Sequence, residues 1–163
     1  MSDAVARLKA QLPERPSVDE LTPLADDYTG LRILAVHAHP DDESSKGSAS
    51  AAAYTDRGAC YMVATMTGGE RGDILNEEIK HSPRAHRDLP GMRRSEMAAA
   101  AKAIGIEHRW MGFVDSGLPE GDPMPPLPFG CFGVQPLERA AAPLVRLVRE
   151  YRPHVMISYD EIG

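Results

Sequence analysis

Cysteine is scarce in this chain of 163 residues. Cys60 and Cys131 are the only two, too few to staple a fold, so no disulfide framework is expected. Cys60 opens an apolar run and is expected to be buried. Cys131 lies in a proline- and glycine-rich loop and is expected near the surface. A surplus of basic charge is missing as well. Lys and Arg total 18 against 24 Asp and Glu, a formal net charge of −6, and Arg93-Arg94 is the sole adjacent basic pair. That composition lacks the electrostatic stripe of a nucleic-acid binder. No apolar run approaches the roughly 20 residues that cross a bilayer. The first residues contain no apolar core of a signal peptide. The expectations are therefore no nucleic-acid partner, no membrane partner and a cytoplasmic location. No internal repeat occurs. Nor does a Gly-x-Gly-x-x-Gly fingerprint or a Walker loop, which disfavours a nucleotide-binding protein. The length fits one domain with a real core.

What is present centres on His37-Ala-His-Pro-Asp-Asp-Glu43. The apolar, β-prone Leu31–Val36 before it reads as a buried strand. The small, Ala-rich Ser44–Tyr54 after it reads as a helix. His39, Asp41 and Asp42 thus sit where a strand ends and a helix begins, the ligand-binding edge of an open α/β sheet. His39 and Asp42 are three residues apart across a turn stiffened by Pro40. A neutral imidazole and a carboxylate are ordinary zinc ligands. Asp41 lies between them and is placed to take a proton from water. The competing reading is a helix N-terminus with acidic residues favourably placed against the dipole. It accounts for Asp41, Asp42 and Glu43, but not for two neighbouring histidines.

Further strands are expected at Ala59–Met66, Glu107–Gly112 and Pro153–Tyr159. Helices are expected at Gly91–Ile104, closed by Gly105, and at Pro136–Tyr151. Residues 1–30 form an extension, with a short amphipathic helix near residues 4–12, and residues 31–163 form the α/β domain. Thr67-Gly-Gly-Glu-Arg-Gly-Asp73 leaves the second strand at the same edge as the histidine turn. Its glycines allow close backbone approach to a ligand, and Glu70, Arg71 and Asp73 offer polar contacts. Asp115, in Asp-Ser-Gly117, is a candidate acceptor for sugar hydroxyls, although Asp-Ser-Gly is equally good turn chemistry. His81 and His86 read as surface histidines of a long polar loop, and His154 as structural, at the opposite sheet edge. The loop 118–133 is stiff and rich in proline and glycine, a candidate wall for an apolar group or a surface linker.

The string Ala38-His-Pro-Asp-Asp-Glu43 after a strand, with Thr67-Gly-Gly-Glu-Arg-Gly72, Gly112–Asp122 and Arg152-Pro-His-Val155, resembles the PIG-L/LmbE family of zinc-dependent N-deacetylases and amidases. The resemblance implies a Rossmann-like three-layer α/β domain with a mostly parallel sheet, truncated at its C-terminal side. It implies Zn2+ held by His39 and Asp42, with Asp41 as the catalytic base. It also gives Asp73 and Arg93 positions that bind substrate; on its own, Arg93 would read as a solvated helix arginine. The implied substrate is a small molecule, a thiol conjugate or an amino sugar. The expected reaction cleaves the amide between a cysteine-derived S-conjugate and glucosaminyl-inositol. The alternatives are deacetylation of N-acetylglucosaminyl-inositol and a catalytically incomplete fragment or sugar-binding module. In the family a His-Pro-Asp-His motif after Tyr-Asp-Glu supplies the third metal ligand and the histidine that protonates the leaving amine. Here Tyr159-Asp-Glu161 is followed only by Ile162-Gly163. Weak zinc binding, no turnover and self-association toward a homo-oligomer are therefore expected of these 163 residues alone. His37 is expected to stand behind the ligands rather than among them.

Overall fold

A computed structural model describes residues 23–160. Most of the expected extension, with its short helix, lies outside the described residues. The strands are β1 (Arg32–His37), β2 (Cys60–Thr67), β3 (Glu107–Phe113) and β4 (Val155–Ile157). The helices are α1 (Asp42–Ser45), α2 (Ser48–Thr55), α3 (Glu77–Lys80), α4 (Pro83–Arg87), α5 (Leu89–Ile104) and α6 (Leu137–Tyr151), with a 3-10 turn at Phe132–Val134. All pairings are parallel, in the order β3-β2-β1-β4.

Strand alternation divides the core into two clusters. Ile33 and Ala35 of β1 and Tyr61 and Val63 of β2 pack with Ala51 of α2 and with Met97 and Ala101 of α5. Leu34, Val36, Met62, Ala64 and Met66 pack on the other face with Leu147 of α6. Successive side chains of a strand point to opposite faces, so a sheet covered on both faces reads as a continuous apolar run. Leu34 and Val63 are almost fully buried, and each such side chain contributes about 1.5–3 kcal/mol. The expected three-layer α/β fold is present.

The chain winds outward from β1 to β2 and β3, then returns to the far side of β1 with β4. The winding reverses between β1 and β4, and crevices form there at the carboxyl ends of the strands. The His37–Glu43 turn leaves β1 at that point.

Several local expectations need correction. The single helix expected over Ser44–Tyr54 is two helices, because Gly47 adopts φ 148°, a value outside the helical basin. The polar stretch after Ile74 carries α3 and α4. Asn76 caps α3 by accepting a hydrogen bond from the Glu78 N–H, and Pro83 occupies the first turn of α4, a position where its missing N–H costs nothing. The cysteines are reversed. Cys60 is exposed and Cys131 is buried. Cys60 is the first residue of β2, before the strand enters its covered stretch. Cys131 is drawn inward because the Phe132 N–H donates to the Val114 carbonyl at 2.8 Å and the Phe132 ring packs 4.9 Å from Phe113. His154 behaves as expected: its Nδ1 accepts from the Arg32 N–H at 3.0 Å, at the edge away from the turn.

Candidate metal and substrate site

The turn is pinned at its root. The Ala38 carbonyl accepts hydrogen bonds from the Thr67 N–H at 3.0 Å and the Thr67 hydroxyl at 2.9 Å. The turn then passes through Asp41 at φ 126°, a region that L side chains rarely adopt and that accompanies functional strain. The Asp41 N–H donates to Glu43 Oε2 at 2.9 Å, which holds this geometry. Asp41 points its carboxyl outward, with its side chain 68% exposed. Asp42 points inward and is 5% exposed.

Asp42 is heavily partnered. Its Oδ2 accepts from the His39 N–H at 3.0 Å and the Tyr159 hydroxyl at 2.6 Å. Its Oδ1 takes the Lys46 ammonium. The break between α1 and α2 follows directly after Lys46. Burial alone would raise the Asp42 carboxyl, but the hydrogen bonds from Lys46, Tyr159 and the His39 N–H outweigh it and hold it below the usual carboxylate value. Asp41 goes the other way. The protein wall behind it raises its carboxyl, against the pull of Arg93.

Asp115 reaches His39 from the loop after β3. Its Oδ1 lies 3.2 Å from His39 Nε2 and accepts from the Gly117 N–H at 3.1 Å. Its Oδ2 accepts from the Arg71 N–H at 3.2 Å. The residue is 3% exposed. These donors overcome the burial cost and keep its carboxyl depressed. The turn chemistry of Asp-Ser-Gly is thus realised, and the same carboxylate also serves the histidine. The Thr67–Asp73 loop supports it twice more. Glu70 Oε2 accepts from the Asp115 N–H at 2.8 Å, and Arg71 Nη1 donates to the Asp115 carbonyl at 2.6 Å.

The glycines of that loop have a steric purpose. A Cβ on Gly69, at φ 62°, or on Gly72 would collide with the Arg93 guanidinium. Bare backbone there lets Arg93 run from α5 to within 3.9 Å of Asp41 Oδ2. At 3.9 Å, with the Asp41 side of the pair open to solvent, the attraction adds at most about 1 kcal/mol. Its effect is placement.

His39, Asp41, Asp73, Arg93 and Asp115 line one cleft of about 450 Å³. Asp42 lies beneath it. His81 and His86 are at the surface, and His86 lines a neighbouring groove with Asp73. His37 is buried, and burial lowers its pKa and favours the neutral ring. Its Nδ1 has no hydrogen-bond partner among the described residues. Sequence reasoning noted Glu70 and Arg71 but not their grip on Asp115. It missed Lys46 and Tyr159 as partners of Asp42; the i, i+4 spacing of Asp42 and Lys46 was a usable signal.

The donor set fits part of a metal site. His39 Nδ1 is 3.8 Å from Asp42 Oδ2, and two ligands at ~2.0 Å from a tetrahedral zinc lie about 3.3 Å apart. The contact of Nε2 with Asp115 matches the carboxylate–histidine pairing that orients metal-bound imidazoles. The Lys46 ammonium shows that the Asp42 carboxylate already holds a cation. Among the described residues, however, no cluster of three or more His, Cys, Asp or Glu is arranged to hold a metal.

A parallel α/β sheet with this turn at its reversal point defines an α/β domain with a cleft at the carboxyl edge of its strands. The chain belongs to the PIG-L family, described as GlcNAc-PI de-N-acetylase, whose profile matches residues 34–163. It is 52% identical over 133 residues to a mycothiol S-conjugate amidase of Streptomyces coelicolor, covering 82% of this chain and 45% of that protein. It is 44% identical over 138 residues to a 1D-myo-inositol 2-acetamido-2-deoxy-alpha-D-glucopyranoside deacetylase of Thermobispora bispora, covering 81% and 45%. The chain therefore spans less than half the length of these relatives. Among solved structures, an N,N'-diacetylchitobiose deacetylase from Pyrococcus horikoshii superposes with TM-score 0.55 at 19% identity, covering 77% of this chain and 39% of that one. GalB, a 4-carboxy-2-hydroxymuconate hydratase from Pseudomonas putida, superposes with TM-score 0.56 at 20% identity, covering 77% and 45%. These likenesses establish the fold. A hydratase among them shows that the fold alone does not define the reaction.

Proposed function

We propose that the protein carrying this chain is a zinc-dependent amidase of mycothiol S-conjugates, acting in the cytoplasm in a detoxification reaction. The scissile amide joins the cysteine-derived S-conjugate to glucosaminyl-inositol. The observation that carries this reading is the placement of His39 and Asp42 side by side, with the open Asp41 carboxyl between them in sequence and Arg93 at its shoulder. The 52% identity to an S-conjugate amidase favours that substrate class over the deacetylase class.

His39 and Asp42 would hold the metal, which supplies Lewis acidity and a lowered water pKa when bound. Asp115 keeps the His39 ring in one orientation by taking Nε2, which leaves Nδ1 turned toward Asp42. Asp41 Oδ accepts the proton of the attacking water. Its raised carboxyl is closer to neutrality than an ordinary aspartate and so better matched to that task. Arg93 and Asp73, at the cleft wall, offer donors and acceptors to the cyclitol and sugar hydroxyls. The third metal ligand and the proton donor for the leaving amine are not assigned among the described residues.

Two other readings have specific support. Deacetylation of N-acetylglucosaminyl-inositol is favoured by the 44% identity to a deacetylase of that kind. A sugar-binding module without turnover would use the same cleft, with Asp73, Arg93 and Asp115 along its wall. The test is to purify the complete protein, measure its zinc content, and compare rates on a bimane conjugate of mycothiol and on N-acetylglucosaminyl-inositol. A higher rate on the conjugate supports the amidase. A strong preference for the acetylated sugar moves the protein to the deacetylases, and bound sugar without turnover points to the binding module.

A further inference from the structure

Tyr159 stands 117 residues from Asp42 in sequence, yet its hydroxyl donates to Asp42 Oδ2 at 2.6 Å. The same hydroxyl accepts from the Ala38 N–H at 3.1 Å. One oxygen therefore ties the exit of β1 to the carboxylate four residues on. Sheet register explains how it gets there. β4 runs parallel to β1, with Ala35 opposite Ile157; two residues on, His37 is the last residue of β1 and Tyr159 lies just past the end of β4. Their rings meet edge-on at 6.0 Å, and the Lys46 ammonium lies 5.1 Å from the Tyr159 ring centroid. The ring is held on two sides, so the hydroxyl arrives in a defined position.

We infer that Tyr159 is a positioning residue for the metal: delivered by the segment that follows β4, its hydroxyl fixes the Asp42 carboxylate and thereby sets metal affinity and ligand geometry. The inference rests on the reading that His39 and Asp42 hold the metal. Asp42 sits on α1, a helix of four residues, next to the strained Asp41. So short an element has little rigidity of its own. The hydroxyl bond from the segment after β4 supplies what the helix lacks. Hydrogen-bond partners behind a metal ligand typically govern 10–100-fold in metal affinity. Tyr151 offers a built-in contrast. Its hydroxyl donates to the Cys60 carbonyl at 2.8 Å, beside the first residue of β2 and away from the cleft. Removing it costs a hydrogen bond and touches no ligand.

The experiment uses the complete protein and four forms: wild type, Tyr159→Phe, Tyr151→Phe and Asp42→Asn. Zinc affinity is measured by chelator competition, and Co2+ is added to the metal-free protein to record its visible absorption bands. Tyr159→Phe keeps the ring, at a position 37% exposed, so the fold persists and thermal unfolding verifies it. The expected result is zinc binding about 10–100-fold weaker, with shifted Co2+ bands, in Tyr159→Phe. Tyr151→Phe should lose thermal stability with both metal readouts unchanged. Zinc affinity within about twofold of wild type and unaltered Co2+ bands in Tyr159→Phe overturn the inference, since the usual effect is 10-fold or more. Asp42→Asn separates the two levels: if it binds zinc like wild type, the metal reading itself fails; if it loses zinc while Tyr159→Phe does not, only the role of Tyr159 fails.

Discussion

Asp41 and Asp42 are adjacent in sequence and opposite in character, and their difference is set by direction. Positive φ at Asp41 turns its carboxyl into the cleft, while Asp42 turns inward to Lys46 and Tyr159. Replacing Asp41 by Asn should leave zinc content near wild type and lower turnover by about 10²–10⁴-fold, the usual contribution of a general base. Zinc stoichiometry and amidase rate measured on the same preparation check this. Loss of metal together with activity would make Asp41 a ligand. Asp115 gives a pH prediction. Its carboxyl is held below its ordinary value of 3.8 by the Gly117 N–H, His39 and the Arg71 N–H despite burial. A carboxyl depressed in the folded state contributes stability that is full above 3.8 and is lost as pH falls through the lower, folded value. Asp115→Asn should therefore flatten the dependence of stability on pH below about 4 while weakening zinc binding about 10–100-fold through His39. Urea unfolding across that acid range and chelator competition at neutral pH read the two effects separately.

At the scale of elements, the Thr67–Asp73 loop does two jobs, gripping Asp115 and admitting Arg93. Gly69→Ala tests the second. An alanine at φ 62° costs roughly 1–2 kcal/mol in the left-handed region, and its Cβ collides with the Arg93 guanidinium. The expected outcome is a lower melting temperature together with a raised KM, because Arg93 leaves its place beside Asp41. A stability loss with KM unchanged would show that Arg93 does not contact substrate. The same loop marks how far sequence reasoning reaches. Its position after β2 was legible from the apolar run Ala59–Met66, and β1, β2 and α5 were legible from apolar strands and from Gly105 at the end of an Ala-rich helix. The lock of Asp115 onto His39 was not, because it joins residues 76 apart and only the registers of β1 and β3 on the intervening β2 bring them together. Gly47 shows the local counterpart. Propensity in an Ala- and Ser-rich stretch favours one helix, and a single φ of 148° splits it. The cysteine exposures failed for a third reason: composition around Cys131 says loop, while the Phe132–Phe113 contact buries it.

On the scale of the whole molecule, the sheet ends in unequal edges. β3 pairs with β2 from Glu107 to Trp110 and again at Phe113, and mixes exposed with partly buried residues. β4 is three residues long, with Val155, Met156 and Ile157 each 40–48% exposed. Among the described residues no strand lies beyond it. No described helix is long and apolar enough to cross a membrane. An edge with open backbone groups and apolar side chains templates pairing with another chain, and β-branched Val155 and Ile157 suit such pairing. The 163-residue chain by itself should therefore associate with a second copy through β4. Sedimentation velocity over micromolar to millimolar concentrations should show larger species growing with concentration. Met156→Lys places a charge at the middle of the strand, the device natural edges use against pairing. It should return the chain to a monomer with its melting temperature little changed, since Met156 is already 48% exposed. A wild-type chain that stays monomeric across the range, or a Met156→Lys variant that associates as strongly as wild type, would remove β4 as the associating edge.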